Sequence, residues 1–108
     1  MSSLNKVFLI GRVGRDPEIR ATTTGKKVAN FSLATGQGEN TEWHKIIAWE
    51  KTCEYVEKFI TKGRLIHIEG SIQSREYESK GEKKNSFEIV CRSVTILDQL
   101  KEECDVPF

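Results

Sequence analysis

From Arg64 to Tyr77 the chain alternates: Ile66, Ile68, Gly70 and Ile72 fall on one side, and His67, Glu69, Ser71, Gln73, Arg75 and Tyr77 on the other. A period of two is that of a β-strand, so the isoleucines are predicted to take the core and the polar set to face solvent. Upstream, Leu4 to Val13 (LNKVFLIGRV) reads as a strand bent at Gly11, with Gly14, Asp16 and Pro17 as turn signals. Ala21 to Lys27 is a polar hairpin tip around Gly25, and Val28 to Thr35 returns as the second strand. Gly36 to Asn40 supplies a turn, and Trp43 to Trp49 the third strand.

The period then changes. In KTCEYVEKFITKG, Cys53, Val56, Phe59 and Ile60 recur at spacings of three and four, which predicts a short amphipathic helix from near Thr52 to Gly63. After the alternating strand, Ser79 to Lys84 is a charged turn and Ser86 to Leu97 a last strand. Three strands, a helix and two strands predict an all-β, five-stranded Greek-key barrel of the OB type, with one short α-helix between strands three and four. The chain's 108 residues fit one such barrel.

Composition narrows the function classes. No apolar run approaches the roughly 20 residues of a membrane-spanning helix. The start, Met1-Ser2-Ser3-Leu4-Asn5-Lys6, lacks the basic, apolar and small-residue regions of a signal peptide, so a cytoplasmic protein is expected. Cys53, Cys91 and Cys104 are odd in number and far apart, and read as free thiols rather than as a disulfide or zinc framework. Residues 1–97 hold 16 bases against 12 acids, a net of +4, while the last eleven residues are acidic. A mildly basic body attracts phosphates where its charges cluster.

The segment TEWHKIIAW gives that charge a context. Trp43, Lys45, Ile47 and Trp49 share one face, and Glu42, His44, Ile46 and Ala48 the other. Two indoles beside an ammonium suit an unpaired nucleic acid strand, whose bases are free to stack; core packing is the competing reading of the same indoles. Arg75 and Tyr77 lie on the polar face of the next strand, so aromatic and basic groups converge from two strands, and a nucleic-acid surface is the better account.

Taken together, NKVFLIGRVGRDPEIR, VANFSLAT, TEWHKIIAW and LIHIEG, in that order and at those spacings, resemble the bacterial-type single-stranded DNA-binding proteins over residues 4–97. The resemblance implies an OB-fold DNA-binding domain at 1–97. It implies single-stranded DNA held without marked sequence preference in replication, recombination and repair, a homotetramer (a dimer second), and no catalysis. By position, Trp43, Trp49 and Tyr77 match its base-stacking aromatics and Lys45 and Arg75 its phosphate contacts, with Lys6 and Arg12 as weaker candidates. His44, pointing away from the stacking face, is expected at an oligomer interface. The segment 98–108 resembles the family's acidic tail, and Asp105, Val106, Pro107 and Phe108 its partner-recruiting tip for replication and repair proteins. A terminal ring with a free carboxylate suits an apolar pocket beside a basic residue.

The chain departs from that family in two places. Only Asp98 to Cys104 separates barrel from tip, at most roughly 25 Å of extended chain, and Cys104 stands where a further acid is usual. The turn Gly36 to Asn40 is short and carries no aromatic.

Two other classes compete. His44 shares a face with Glu42, and His67 with Glu69, but such pairs on neighbouring strands more often make cross-strand hydrogen bonds than hold a metal or move protons. No Gly-rich phosphate loop, paired-cysteine motif or nucleophile elbow is present, so no enzyme, cofactor or metal is expected. The alternative is an OB-fold protein-interaction subunit of a replication complex with little nucleic-acid binding of its own. The retained Trp43, Lys45, Trp49, Arg75 and Tyr77 argue against it.

Overall fold

The computed structural model describes residues 2–98. Strands β1 (Val7–Val13), β2 (Glu18–Ala21), β3 (Lys27–Thr35) and β4 (Glu42–Trp49) precede helix α1 (Glu50–Phe59), and β5 (Leu65–Ser79) and β6 (Glu82–Ile96) follow it. The sheet runs β1-β5-β6-β4-β3-β2, and β1 also pairs with β3 through Arg12↔Ala34 and Val13↔Leu33. That second pairing closes five strands into the expected barrel, with α1 between its third and fourth strands. The sixth strand, β2, pairs only with β3. It was not expected from sequence, because EIRA is short and half charged.

All pairings are antiparallel except β4 with β6, where Ile46↔Ile89 and Ala48↔Cys91 run parallel. Inward residues of every barrel strand fill the core, among them Val13, Leu33, Ile46, Ile66, Ile68 and Ile89. From α1 come Cys53 and Val56, and the C-cap Ile60 is 2% exposed. Phe59, expected on the same stripe, is instead exposed and rests on Tyr55 with ring centroids 4.9 Å apart. Ile60, just past the helix, takes the core-facing place at that end. The helix begins two residues before the expected Thr52 and ends at Phe59; Gly63, its expected stop, lies in the following turn at φ 86°. There its N–H donates to the Val13 carbonyl at 2.8 Å.

Two glycines permit the closure. A Cβ on Gly11 would stand 2.3 Å from the Ala34 carbonyl oxygen, where β1 meets β3, and one on Gly70 would stand 2.1 Å from that of Val90. Beside Gly70 the β5–β6 register slips: Glu69 faces Ser93, but Gly70 faces Cys91, leaving Arg92 as the extra residue of a β-bulge. Past Ile89, where the pairing of β6 with β4 ends, β5 and β6 run on as a two-stranded ribbon, closed at Lys80 and Gly81 with φ of 52° and 78°, the sense of a primed hairpin turn. Ile72, expected in the core with Ile66 and Ile68, lies past the bulge and is 51% exposed. The Asn5 side chain binds its backbone, donating to the Ile72 carbonyl at 2.8 Å and accepting from its N–H at 2.9 Å.

Cys53 and Cys91 are buried free thiols. Burial pushes the Cys91 thiol up to about 11 and raises that of Cys53, where Glu57 adds to the effect. Cys104 and the tip Asp105, Val106, Pro107 and Phe108 lie outside the described residues. Among the described residues no helix is long and apolar enough to cross a membrane.

Gly70→Ala is expected to lower unfolding stability by about 2 kcal/mol or more in urea titration, because the clashing atom is backbone. An unchanged midpoint would mean that β6 gives way freely there. Native protein treated with iodoacetamide near pH 8 should leave Cys53 and Cys91 unmodified by peptide mass mapping, since the thiolate is the nucleophile and both thiols are held protonated and buried. Modification of Cys91 at the rate seen in urea would refute that burial.

Candidate nucleic-acid interface

Strand β4 separates its residues by face. Ile46 and Ala48 are fully buried, while Trp43 is 61% and Trp49 37% exposed, with Lys45 exposed between them. The core reading of the two tryptophans therefore fails for Trp43 and holds only in part for Trp49. Ile47, on the same face, is buried beside Asn30 of β3 and Val90 of β6. Six residue steps along the strand separate the two tryptophan backbones, about 20 Å.

Trp43 lies against Gly14. A Cβ there would stand 2.5 Å from an indole ring carbon and 2.7 Å from the Ser32 hydroxyl, so the missing side chain makes room for the ring. Three open troughs continue from this point. One, of about 300 Å³, is lined by Gly14, Arg15, Ser32 and Trp43. The next, about 330 Å³, shares Arg15 and Ser32 and adds Asp16, Glu18, Asn30, Lys45 and Glu88. The third, about 390 Å³, shares Lys45 and Glu88 and reaches Arg75, Tyr77 and Ser86 on the ribbon. A continuous groove thus joins Trp43 to Tyr77, which is 45% exposed and pairs across the ribbon with Lys84.

Of the residues singled out from sequence, Trp43, Lys45, Arg75 and Tyr77 line this groove. Trp49 lies at the far end of β4 as the N-cap of α1, opposite Val28, and lines none of the three troughs. Lys6 and Arg12 also lie elsewhere. Lys6 stands 4.0 Å from Glu69 and 5.8 Å above the Phe8 ring, and Arg12 donates to the Gly63 carbonyl at 3.0 Å beside Asp98. His44 is on the opposite face, half-buried, with Nε2 2.9 Å from the Thr35 hydroxyl. The turn Gly36 to Asn40 holds a single 3-10 turn and no aromatic.

Sequence reasoning missed Gly14, Arg15, Ser32 and Glu88. Gly14 and Arg15 follow β1 in what reads as a plain turn, and Ser32 and Glu88 sit within strands whose outer face the sequence does not mark. Ser32 pairs with Lys45 in the β3–β4 register, so the signal was present only in the pairing. His67 stacks beside Phe8, with centroids 6.2 Å apart. Among the described residues no group of three or more His, Cys, Asp or Glu is arranged to hold a metal ion.

An aromatic at each end of a groove with Lys45, Arg15 and Arg75 between is the arrangement that takes an unpaired strand: bases stack at the rings and phosphates meet the cations. The model of the single-strand binding protein family matches residues 4–97. Single-stranded DNA-binding protein 1 of Chlorobaculum tepidum is 44% identical, over 87% of this chain and 65% of its own length. The single-stranded DNA-binding protein of Neisseria meningitidis is 43% identical over 88% and 60%, and that of Rickettsia typhi 45% over 84% and 68%. The chain thus spans about 60–65% of the length of the first two relatives. Among solved structures, a Plasmodium falciparum SSB in complex with single-stranded DNA superposes with a TM-score of 0.83 at 33% identity, covering 91% of this chain and 98% of that one.

Gly14→Ala is expected to lift the Trp43 indole off the strand. In a Trp49→Phe background, acrylamide should quench the remaining tryptophan more steeply once Gly14→Ala is added. Identical quenching would show that the ring does not depend on the glycine.

Proposed function

The chain belongs to the single-strand binding protein family, and from that membership we propose that it binds and protects single-stranded DNA during replication, recombination and repair, without catalysis. The groove that runs from Trp43 through Lys45 and Arg75 to Tyr77 carries the proposal. Trp43 and Tyr77 stack bases, Trp49 offers a separate stacking platform outside the groove at the far end of β4, and Lys45 and Arg75, joined by Arg15, meet phosphates. Lys6 and Arg12 contribute less, because neither lines the groove. Stacking requires only a π-face, so the groove accepts any sequence.

Assembly and recruitment belong to the same proposal. Phe8 and Ile10, 58% and 57% exposed on the outer face of β1, support self-association, with a homotetramer expected and His44 at an interface. Exposed aromatic and aliphatic side chains side by side on a strand favour cover by another surface. Residues 1–97 act as the binding domain in the cytoplasm, and the acidic segment 98–108 offers Asp105, Val106, Pro107 and Phe108 to replication and repair proteins.

Titration with oligo(dT) and with duplex of equal length, read by tryptophan fluorescence at low and high salt, tests the reading. Quenching by the single strand, little response to duplex and affinity that falls with salt are expected. Trp43→Ala and Tyr77→Ala should each weaken binding by about 1–3 kcal/mol. Lys45→Ala should flatten the dependence of log affinity on log salt by about 0.7. A parent protein that leaves oligo(dT) unbound at low salt would point instead to a protein-interaction subunit.

A further inference from the structure

The one charged residue buried among the described residues lies inside the groove, between its cations. Glu88 of β6 retains 8% of its surface and lines both the trough of Arg15 and Ser32 and that of Arg75 and Tyr77. Its Oε1 stands 3.6 Å from Arg75 Nε, with the arginine side chain 63% exposed and the glutamate side chain 9%. The two partners are therefore unequal. Glu88 is fixed in a strand, opposite Gln73, whereas the guanidinium reaches into solvent on a long side chain.

We infer that Glu88 is a resident anion of the groove: it holds Arg75 in the free protein and competes with the strand's phosphates for Arg75 and Lys45. The inference rests on the single-stranded DNA reading above and adds a role that limits affinity. A surface built only for maximal attraction to phosphate would not keep a carboxylate fixed among its cations, because burying that charge is costly and a phosphate arriving beside it is repelled. A phosphate at Arg75 must share the guanidinium with Glu88 or draw it away. Binding then gains less from that arginine, and its salt dependence is shallower than the number of groove cations suggests. The bound strand is correspondingly easier to release.

Glu88→Gln keeps the side chain's shape and removes its charge. Parent and variant are titrated with an oligo(dT) short enough to fill one protomer, across a series of salt concentrations, with melting curves to confirm the fold. The expected result is binding roughly three- to tenfold tighter at low salt and a log–log slope steeper by up to about 0.7. In an Arg75→Ala background the gain should shrink, since part of it passes through that side chain. Glu88→Met, of similar volume and without charge, should give the same gain and serves if the Gln form does not fold. Unchanged or weaker binding by the neutral variants, beside a parent that binds, overturns the inference, as does an undiminished gain without Arg75. A parent that does not bind overturns the proposed function itself, and is read before any variant.

Discussion

Closing five strands into a barrel brings backbones nearer to one another than side chains allow, and two points of closest approach in this chain are glycines. At Gly11 the first strand meets β3 while still pairing with β5, so a single strand belongs to two neighbours at once. At Gly70 the β5–β6 register slips against the Val90 backbone, shortly before the two strands run on past β4 as a ribbon. The first approach closes the core; the second stands at the root of the ribbon that carries Arg75 and Tyr77. The groove depends on both: closure lays Gly14 and Arg15, just after β1, beside Ser32 and Trp43, and the ribbon supplies the other end.

Closure also decides which face of β4 is wet. Ile46 and Ala48 pack inward against β3 and β6, and with a period of two that commits Trp43 and Lys45 to the outside. A slip of one residue would exchange the faces and bury the ammonium. Leaving a tryptophan 61% exposed forgoes on the order of 2–4 kcal/mol of apolar burial. Gly14 instead cradles the ring on one side and leaves its other side open, which is the geometry of a platform rather than of a core residue.

Much of this was legible from residue order. The inward Ile66 and Ile68, the helix among strands and the outward placement of Trp43, Lys45, Arg75 and Tyr77 all follow from local periodicity. What escaped depends on contacts between distant segments. Ile72 obeys the alternation of its strand, yet it lies past the bulge at Arg92, at the edge of the core where it is left exposed. Phe59 fits the apolar stripe of α1, but Ile60 fills the place beneath it. Gly14 looks like a turn glycine until β4 is laid beside it, and Arg15 becomes a groove residue only by that same packing. Trp49 shares a face with Trp43, but the strand ends there and α1 begins. Shared face did not mean shared groove.

The charges of the groove set how its two kinds of contact divide the proposed task. Its lining holds Arg15, Lys45 and Arg75 against Asp16, Glu18 and Glu88, so cations and carboxylates are balanced in number. They are not balanced in reach. Asp16 accepts from the Lys62 N–H at 2.9 Å, Glu18 from Arg20 at 2.7 Å, and Glu88 is buried, whereas Lys45 and Arg75 extend into solvent. A phosphate passing over the groove meets the cations first, but the nearby carboxylates weaken the attraction at distances beyond direct contact, and salt weakens it further. Stacking on Trp43 and Tyr77 needs neither charge nor a particular base. In the proposed role, the rings would therefore carry a growing share of the binding as salt rises, and a preference for an unpaired strand would come from them rather than from the charge, which duplex and single strand both satisfy.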